Sequence, residues 1–299
     1  MPPIVTLTAN LVAETTYYVS EWGLGKTSRA TEERFQAGGK GINVSKMLQH
    51  LDAETTAVCF PGGNFGLICE QWLADQKRYF KSFSRGCVTR SGTIIRAPRS
   101  DEISILGIDS YVSAESVQDC VGYLAKLSEP SVLAICGVFQ DWNNSNWDAL
   151  REWLPKRRDH VRLVIDTYGP SLSWFAQQKP DIIKINRQEL ETLFNEDVSE
   201  SPTDRLIKRV AEGYDCPIWI VTDGESAIWS IEAGGEPQST QPQITDCVSP
   251  IGCGDVFFAT LLDRLYNHTK ASLESAIDLA THYASKNASS EEIATFEID

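Results

Sequence analysis

Short apolar runs rich in β-branched residues recur at positions 4–7, 56–60, 132–136, 163–166, 182–185 and 218–222. Each has the length and composition of a buried strand. Between and after them lie sets spaced i, i+3, i+4, i+7: Val44, Met47, Leu48 and Leu51; Val117, Cys120, Val121 and Leu124; Phe258, Leu261, Leu262 and Leu265; Leu273, Ala276, Ile277 and Ala280. That spacing puts each set on one face of a helix. Near-continuous apolar strands alternating with helices predict an α/β fold, with a mostly parallel central sheet covered on both faces.

Two stretches break the alternation, at about 10–35 and 88–110, where Thr, Tyr, Val and Ile cluster. They read as strands outside the main sheet that form a small lid. Without a repeat, low-complexity tract or long linker, residues 1–299 read as one domain interrupted by lid strands. Two sequential domains fit less well.

Composition narrows the class. Apolar residues make up 42% and charged residues 23%, enough to bury a core and too apolar for a disordered chain. Lys plus Arg number 27 against 41 Asp plus Glu, a net charge of −14. That balance disfavours nucleic acid and anionic membrane as partners, though a local basic pocket still suits a phosphate. The start, Met1-Pro2-Pro3-Ile4-Val5, lacks a charged segment followed by an apolar stretch. No apolar run approaches the roughly 20 residues of a membrane helix. Both point to a cytoplasmic protein. Eight cysteines show no two-residue spacing, and several sit inside apolar runs, so they read as buried thiols. Four scattered histidines make a zinc enzyme improbable.

The strongest local signal is Ser249-Pro250-Ile251-Gly252-Cys253-Gly254-Asp255, opening into an apolar helix. Glycines let the backbone turn tightly and aim free N–H groups at an anion, and the helix dipole favours negative charge there. Asp255 suits a general base that takes a proton from an attacking hydroxyl. The alternative is an aspartate that only stabilises the helix N-terminus. Spacing alone leaves both open.

A second signal is Ala37-Gly38-Gly39-Lys40-Gly41-Ile42-Asn43. Gly41 stands where a Walker A loop has Ser or Thr, so this is another kind of loop. Its glycines allow close approach of a ligand, and Lys40 and Asn43 suit contacts to hydroxyls or phosphate; the alternative is an ordinary loop entering a helix. No glycine cluster completes GxGxxG, which counts against a dinucleotide-binding fold. Third, Asn186 and Glu189 lie three apart where a strand gives way to a helix, an amide and a carboxylate that suit a hydrated Mg²⁺. A first-turn glutamate favoured by the helix dipole is the other reading. Fourth, strand 218–222 runs into Asp223-Gly224, where an α/β sheet commonly presents ligand contacts.

In this order the four segments resemble the PfkB (ribokinase-like) carbohydrate kinase family, over most of the chain from Thr6 to about Ala288. Gly38–Asn43 is similar to the family's first signature, and Gly252-Cys253-Gly254-Asp255 to its GAGD element. Lys184-Ile185-Asn186-Arg187-Gln188-Glu189 resembles KPNxxE with Ile185 for proline. Val5-Thr6-Leu7, Thr16–Val19 and the lid pair Thr89-Arg90 are similar to the branch of 1-phosphofructokinase and tagatose-6-phosphate kinase.

The resemblance implies a three-layer α/β/α sandwich with a β-strand lid, often a dimer through that lid. It implies ATP-dependent transfer of a phosphoryl group to a hydroxyl of a sugar or sugar phosphate. Asp255 would deprotonate the hydroxyl, and the N–H groups of Gly252, Cys253 and Gly254 would stabilise the transferring phosphoryl. Asn186 and Glu189 would position Mg²⁺ through water; Lys184, Asn186, Thr222 and Gly224 would serve ATP. Gly38, Gly39, Lys40, Asn43 and Arg90 would hold the acceptor. Departures concentrate at the sugar end. The branch reads Asn-Pro-Ala-x-Asp where this chain has Thr8-Ala9-Asn10-Leu11-Val12, so Val12 replaces a sugar-gripping aspartate and Glu14 is the substitute if the alignment slips. Gly137-Val138-Phe139-Gln140 stands for Gly-Ser-Leu-Pro, and Glu225 follows Gly224 where a second glycine is usual. A weakly active or inactive sugar- or nucleotide-binding relative, and a nucleoside kinase of the same fold, are the alternatives. Arg90 itself is either a phosphate contact or the partner of a lid carboxylate such as Asp101 or Glu102.

Overall fold

A computed structural model describes residues 2–98, 102–128, 130–242, 246–268 and 270–299; Asp101 lies outside the described residues. The strands in chain order are β1 Ile4–Thr8, β2 Val12–Val19, β3 Ala30–Gly38, β4 Thr55–Cys59, β5 Phe80–Ser82, β6 Arg90–Arg96, β7 Ile103–Leu106, β8 Ser131–Cys136, β9 Val161–Asp166, β10 Ile182–Asn186, β11 Ile218–Asp223, β12 Ala227–Glu232 and β13 Gln238–Thr240. Nine form one sheet, ordered β13-β12-β11-β10-β9-β8-β1-β4-β5. Every pairing from β5 to β11 is parallel, and β12 and β13 add an antiparallel edge.

Alternate strand residues point to opposite faces, which explains why these strands are apolar throughout. Leu133, Leu163, Ile183 and Trp219 pack on one side, with the helices Ala114–Leu124, Asp148–Trp153 and Thr203–Gly213. Ala134, Val164, Ile182 and Ile220 pack on the other, under Lys40–His50, Cys253–Asn267 and Leu273–Ala288. The expected three-layer α/β/α arrangement is the one observed. All eight cysteines are free, and only Cys247 is exposed.

The remaining strands form a second sheet, ordered β3-β2-β6-β7. The β2–β3 and β6–β7 pairs are antiparallel, while β2 and β6 run parallel. It roots on a small core of Leu11, Ala13, Ala37, Ile42, Cys69 and Leu73 beside helix Gly63–Asp75. That helix escaped the periodicity reading because Phe65, Leu67 and Ile68 face solvent and blur its apolar stripe. Among the described residues no helix is long and apolar enough to cross a membrane.

Candidate active site

The carboxyl ends of β1, β8, β9, β10 and β11 meet along one edge of the large sheet, where α/β folds place ligands. Helix Cys253–Asn267 begins above that edge. Its N-cap, Gly252, adopts φ +78° and no side chain caps the first turn, while the Cys253 N–H reaches the Pro250 carbonyl at 3.4 Å. A Cβ on Gly252 would come within 2.5 Å of Ile293 Cγ1, so space as well as conformation demands glycine there. A Cβ on Gly254 would meet the Lys184 ammonium at 2.9 Å, placing that cation directly beside the turn. Burial pushes the Cys253 thiol up, which keeps it neutral.

Asp255 occupies the first turn and is 6% exposed. Burial and the charge of Asp166 push its pKa up to about 6, against Lys40, a hydrogen bond from Asn43 and Lys184. Asn43 Nδ2 donates to Asp255 Oδ2 at 2.7 Å. A buried carboxylate that titrates near neutrality can accept a proton and give it up again.

Lys40 and Lys184 converge on Asp166, which ends β9 and is fully buried. Lys40 Nζ lies 2.7 Å from Oδ1 and Lys184 Nζ 3.3 Å from Oδ2. Burial alone would raise the carboxyl of Asp166, but the two ammonium groups hold it below its usual range. Burial likewise acts to lower Lys40, and the charges of Asp166, Glu189 and Asp255 outweigh it. Lys40 also reaches Glu189 Oε1 at 3.3 Å and lies over the Tyr168 ring. Asp166 was missed by motif reasoning. The available signal was a carboxylate ending an otherwise apolar strand.

Asn186 and Glu189 form a reciprocal cap: Asn186 Oδ1 accepts the Glu189 N–H and Glu189 Oε2 accepts the Asn186 N–H, both at 2.8 Å. The helix-start reading of Glu189 therefore describes real contacts, while its second oxygen faces Lys40. Among the described residues no group of three or more His, Cys, Asp and Glu is arranged to hold a metal. With Glu189 already engaged at both oxygens, the donor set fits a hydrated Mg²⁺ carried by phosphates rather than a cation ligated by protein alone. Thr222, Gly224, Cys253 and Gly254 line one cleft of about 300 Å³, with Phe257 and Ile228 as its apolar wall.

At the other end, Gly39 (φ +119°) brings the helix start so close to β1 that a Cβ would sit 2.8 Å from Thr8 Cγ2. Gly38 faces Val12 across the β2–β3 pair, and Arg90 pairs with Val12 on the β6 side. Arg90 Nη1 contacts Asp109 Oδ1 at 2.7 Å, and Asn10 Nδ2 donates to the same oxygen at 2.7 Å. A carboxylate does meet Arg90, but it is Asp109, whereas Glu102 pairs with Arg96 at 2.6 Å. Asp109 and Asn10 carried no sequence signal, because their convergence needs the lid folded over β1. Glu14 lies two pairs further along β2, opposite Gln36, whose Nε2 donates to it at 2.5 Å. Burial raises its carboxyl above the usual range.

A glycine-led helix start, a buried aspartate in its first turn and a small sheet beside one strand edge make up the site. The profile of the pfkB family carbohydrate kinases matches residues 9–297, and the chain belongs to this family. Among individual proteins it is similar to 1-phosphofructokinase of Bacillus subtilis (strain 168), at 24% identity over 297 residues, 98% of this chain and 95% of that protein. It is also similar to tagatose-6-phosphate kinase of Staphylococcus epidermidis, at 25% identity over 88% of this chain and 85% of that protein. The fold matches the crystal structure of phosphofructokinase-2 from Escherichia coli in complex with fructose-6-phosphate, with TM-score 0.84, 19% identity, and 96% and 94% of the two chains covered.

Proposed function

We propose that the protein transfers the γ-phosphoryl group of ATP to a hydroxyl of a sugar or sugar phosphate. The observation that carries this reading is Asp255: buried, titrating near neutrality and seated in the first turn of an uncapped helix beside Lys184. Asp255 takes the hydroxyl proton as the oxygen forms its bond to the γ-phosphorus, and the bond from that phosphorus to the bridging oxygen breaks to release ADP. The N–H groups of Gly252, Cys253 and Gly254, with the Lys184 ammonium, balance charge on the transferring group; such positioned charge supplies most of the catalysis in phosphoryl transfer. The cleft at Thr222, Gly224 and Phe257 takes the nucleotide. Mg²⁺ bound to the phosphates would offset their charge, with Asn186 and Glu189 meeting it through water.

The acceptor lies between Asp255 and the small sheet, against Gly38, Gly39, Asn43, Arg90 and Glu14. Two relatives named for phosphosugars favour an acceptor that carries a phosphate, with Lys40 and Arg90 as its cations. A binding-only relative has little use for a buried base held by Asn43. The cytoplasm, where ATP is held, is the matching location. Exposed Ile105 and Leu106 on β7, with Ile108 just beyond it, suit a homodimer through the lid. A panel of sugars and sugar phosphates with ATP and Mg²⁺, read by ADP release, tests the assignment. ADP release dependent on one acceptor and lost in Asp255→Asn supports it; no acceptor-dependent release across the panel refutes it.

A further inference from the structure

A second cavity, of about 410 Å³, lies between the edge strand β3, helices Lys40–His50 and Gly63–Asp75, and the segment 291–295. It shares no lining residue with the nucleotide cleft, and Asp255 does not line it. Lys46 does, and is 8% exposed. Among the described residues nothing hydrogen-bonds or ion-pairs with its ammonium. Arg78 lines the same cavity; its Nε is buried without a partner, and Nη1 has only Gln49 Oε1 at 3.4 Å.

The other charges around the cavity are already balanced. Arg34 pairs with Glu292 at 2.8 Å and Glu291 at 3.4 Å, and Arg96 with Glu102 at 2.6 Å. Lys46 and Arg78 are thus the lining cations that no carboxylate contacts among the described residues. A buried ammonium with no carboxylate in contact is costly, and a bound anion lowers that cost. Burial and the neighbouring Arg78 push Lys46 down to about 8, against the pull of Glu292 and Glu14. In a chain of net charge −14, this is a local excess of positive charge inside a cavity of small-molecule size.

We infer that this cavity is an anion site separate from the acceptor and nucleotide sites, in which Lys46 and Arg78 hold a phosphate group, either free or on a small metabolite. Its wall includes Ser249, Ile251 and Ile293, and Ile293 packs directly on Gly252. An occupant therefore bears on the turn that carries Asp255, which makes the site suited to regulation.

Inorganic phosphate titrated calorimetrically into the whole protein, without ATP or acceptor, tests this independently of the proposed catalysis. Wild type is expected to bind it, and Lys46→Met and Arg78→Met to bind it ~10–100-fold more weakly, the loss of one charge-assisted contact. Lys46→Arg should retain binding, and Arg90→Ala should leave it intact. If Lys46→Met does not fold, as judged by its thermal melt, Arg78→Met carries the same test. A sugar phosphate that displaces phosphate equally from wild type and Arg90→Ala marks a metabolite-borne group; phosphate that resists displacement marks the free ion. Equal binding by wild type and both methionine variants overturns the inference. So does a loss confined to Arg90→Ala, or no binding by wild type at tens of millimolar.

Discussion

Asn43 and Asp255, 212 positions apart in the chain, meet at 2.7 Å where two helices start above the same strand edge. The amide donates to the carboxylate and so favours its ionised form, while burial and Asp166 oppose ionisation. The net result is a carboxyl near 6, high for an aspartate yet mostly ionised at pH 7.

Asp255→Asn should lower kcat by ~10²–10⁴-fold, as removal of a general base does, with little change in nucleotide affinity. The same variant should not lose stability. The folded carboxyl titrates near 6 and the unfolded one near 3.8, so the ionised form costs the folded state free energy above pH 6, and that cost vanishes below the unfolded value. A thermal melt at pH 7 should show Tm unchanged or raised. Near-normal turnover would remove Asp255 from the mechanism.

The pH profile of kcat/KM should fall on the acid side through about pH 6, tenfold per unit below it, as the free enzyme's base is protonated. Asn43→Ala removes a contact that lowers the Asp255 pKa, so the acid limb should move to higher pH. An unmoved limb would show that another group controls it.

Turnover should stop in excess chelator and return with Mg²⁺. Glu189→Gln keeps the size of the side chain and removes its charge, so the Mg²⁺ concentration for half-maximal rate should rise several-fold. An unaltered Mg²⁺ titration would limit Glu189 to capping its own helix, the role its bond to Asn186 already performs.

Arg90 pairs with Asp109 at 2.7 Å. Arg90→Ala should lower kcat/KM for a phosphorylated sugar by ~10–100-fold and change that for the matched unphosphorylated sugar little. Asp109→Asn frees the guanidinium and should act oppositely on the phosphorylated acceptor alone. Equal losses on both acceptors in Arg90→Ala would assign Arg90 to holding the lid.

Strand and helix placement was legible along the chain because burial on both faces demands unbroken apolar runs, as at residues 132–136 and 182–185. The turn at Gly252–Asp255 was legible too, since a left-handed N-cap beside a close side chain leaves glycine few rivals. Elements without a clean period, such as helix Gly63–Asp75 with its exposed Phe65 and Leu67, were not. Nor were contacts that only folding creates. Asp166 becomes the shared counter-charge of Lys40 and Lys184 because β9 lies next to β10 and one strand beyond it lies β8, over whose end Lys40 reaches. Arg90 meets Asp109, and not Glu102, because β6 and β7 set Arg96 beside Glu102 and return the chain past Asn10. Local sequence specifies backbone conformation and burial, which depend on a residue and its near neighbours. The charge at Asp255 and the unmet cation at Lys46 depend on groups tens to hundreds of positions away, and only tertiary structure brings those together.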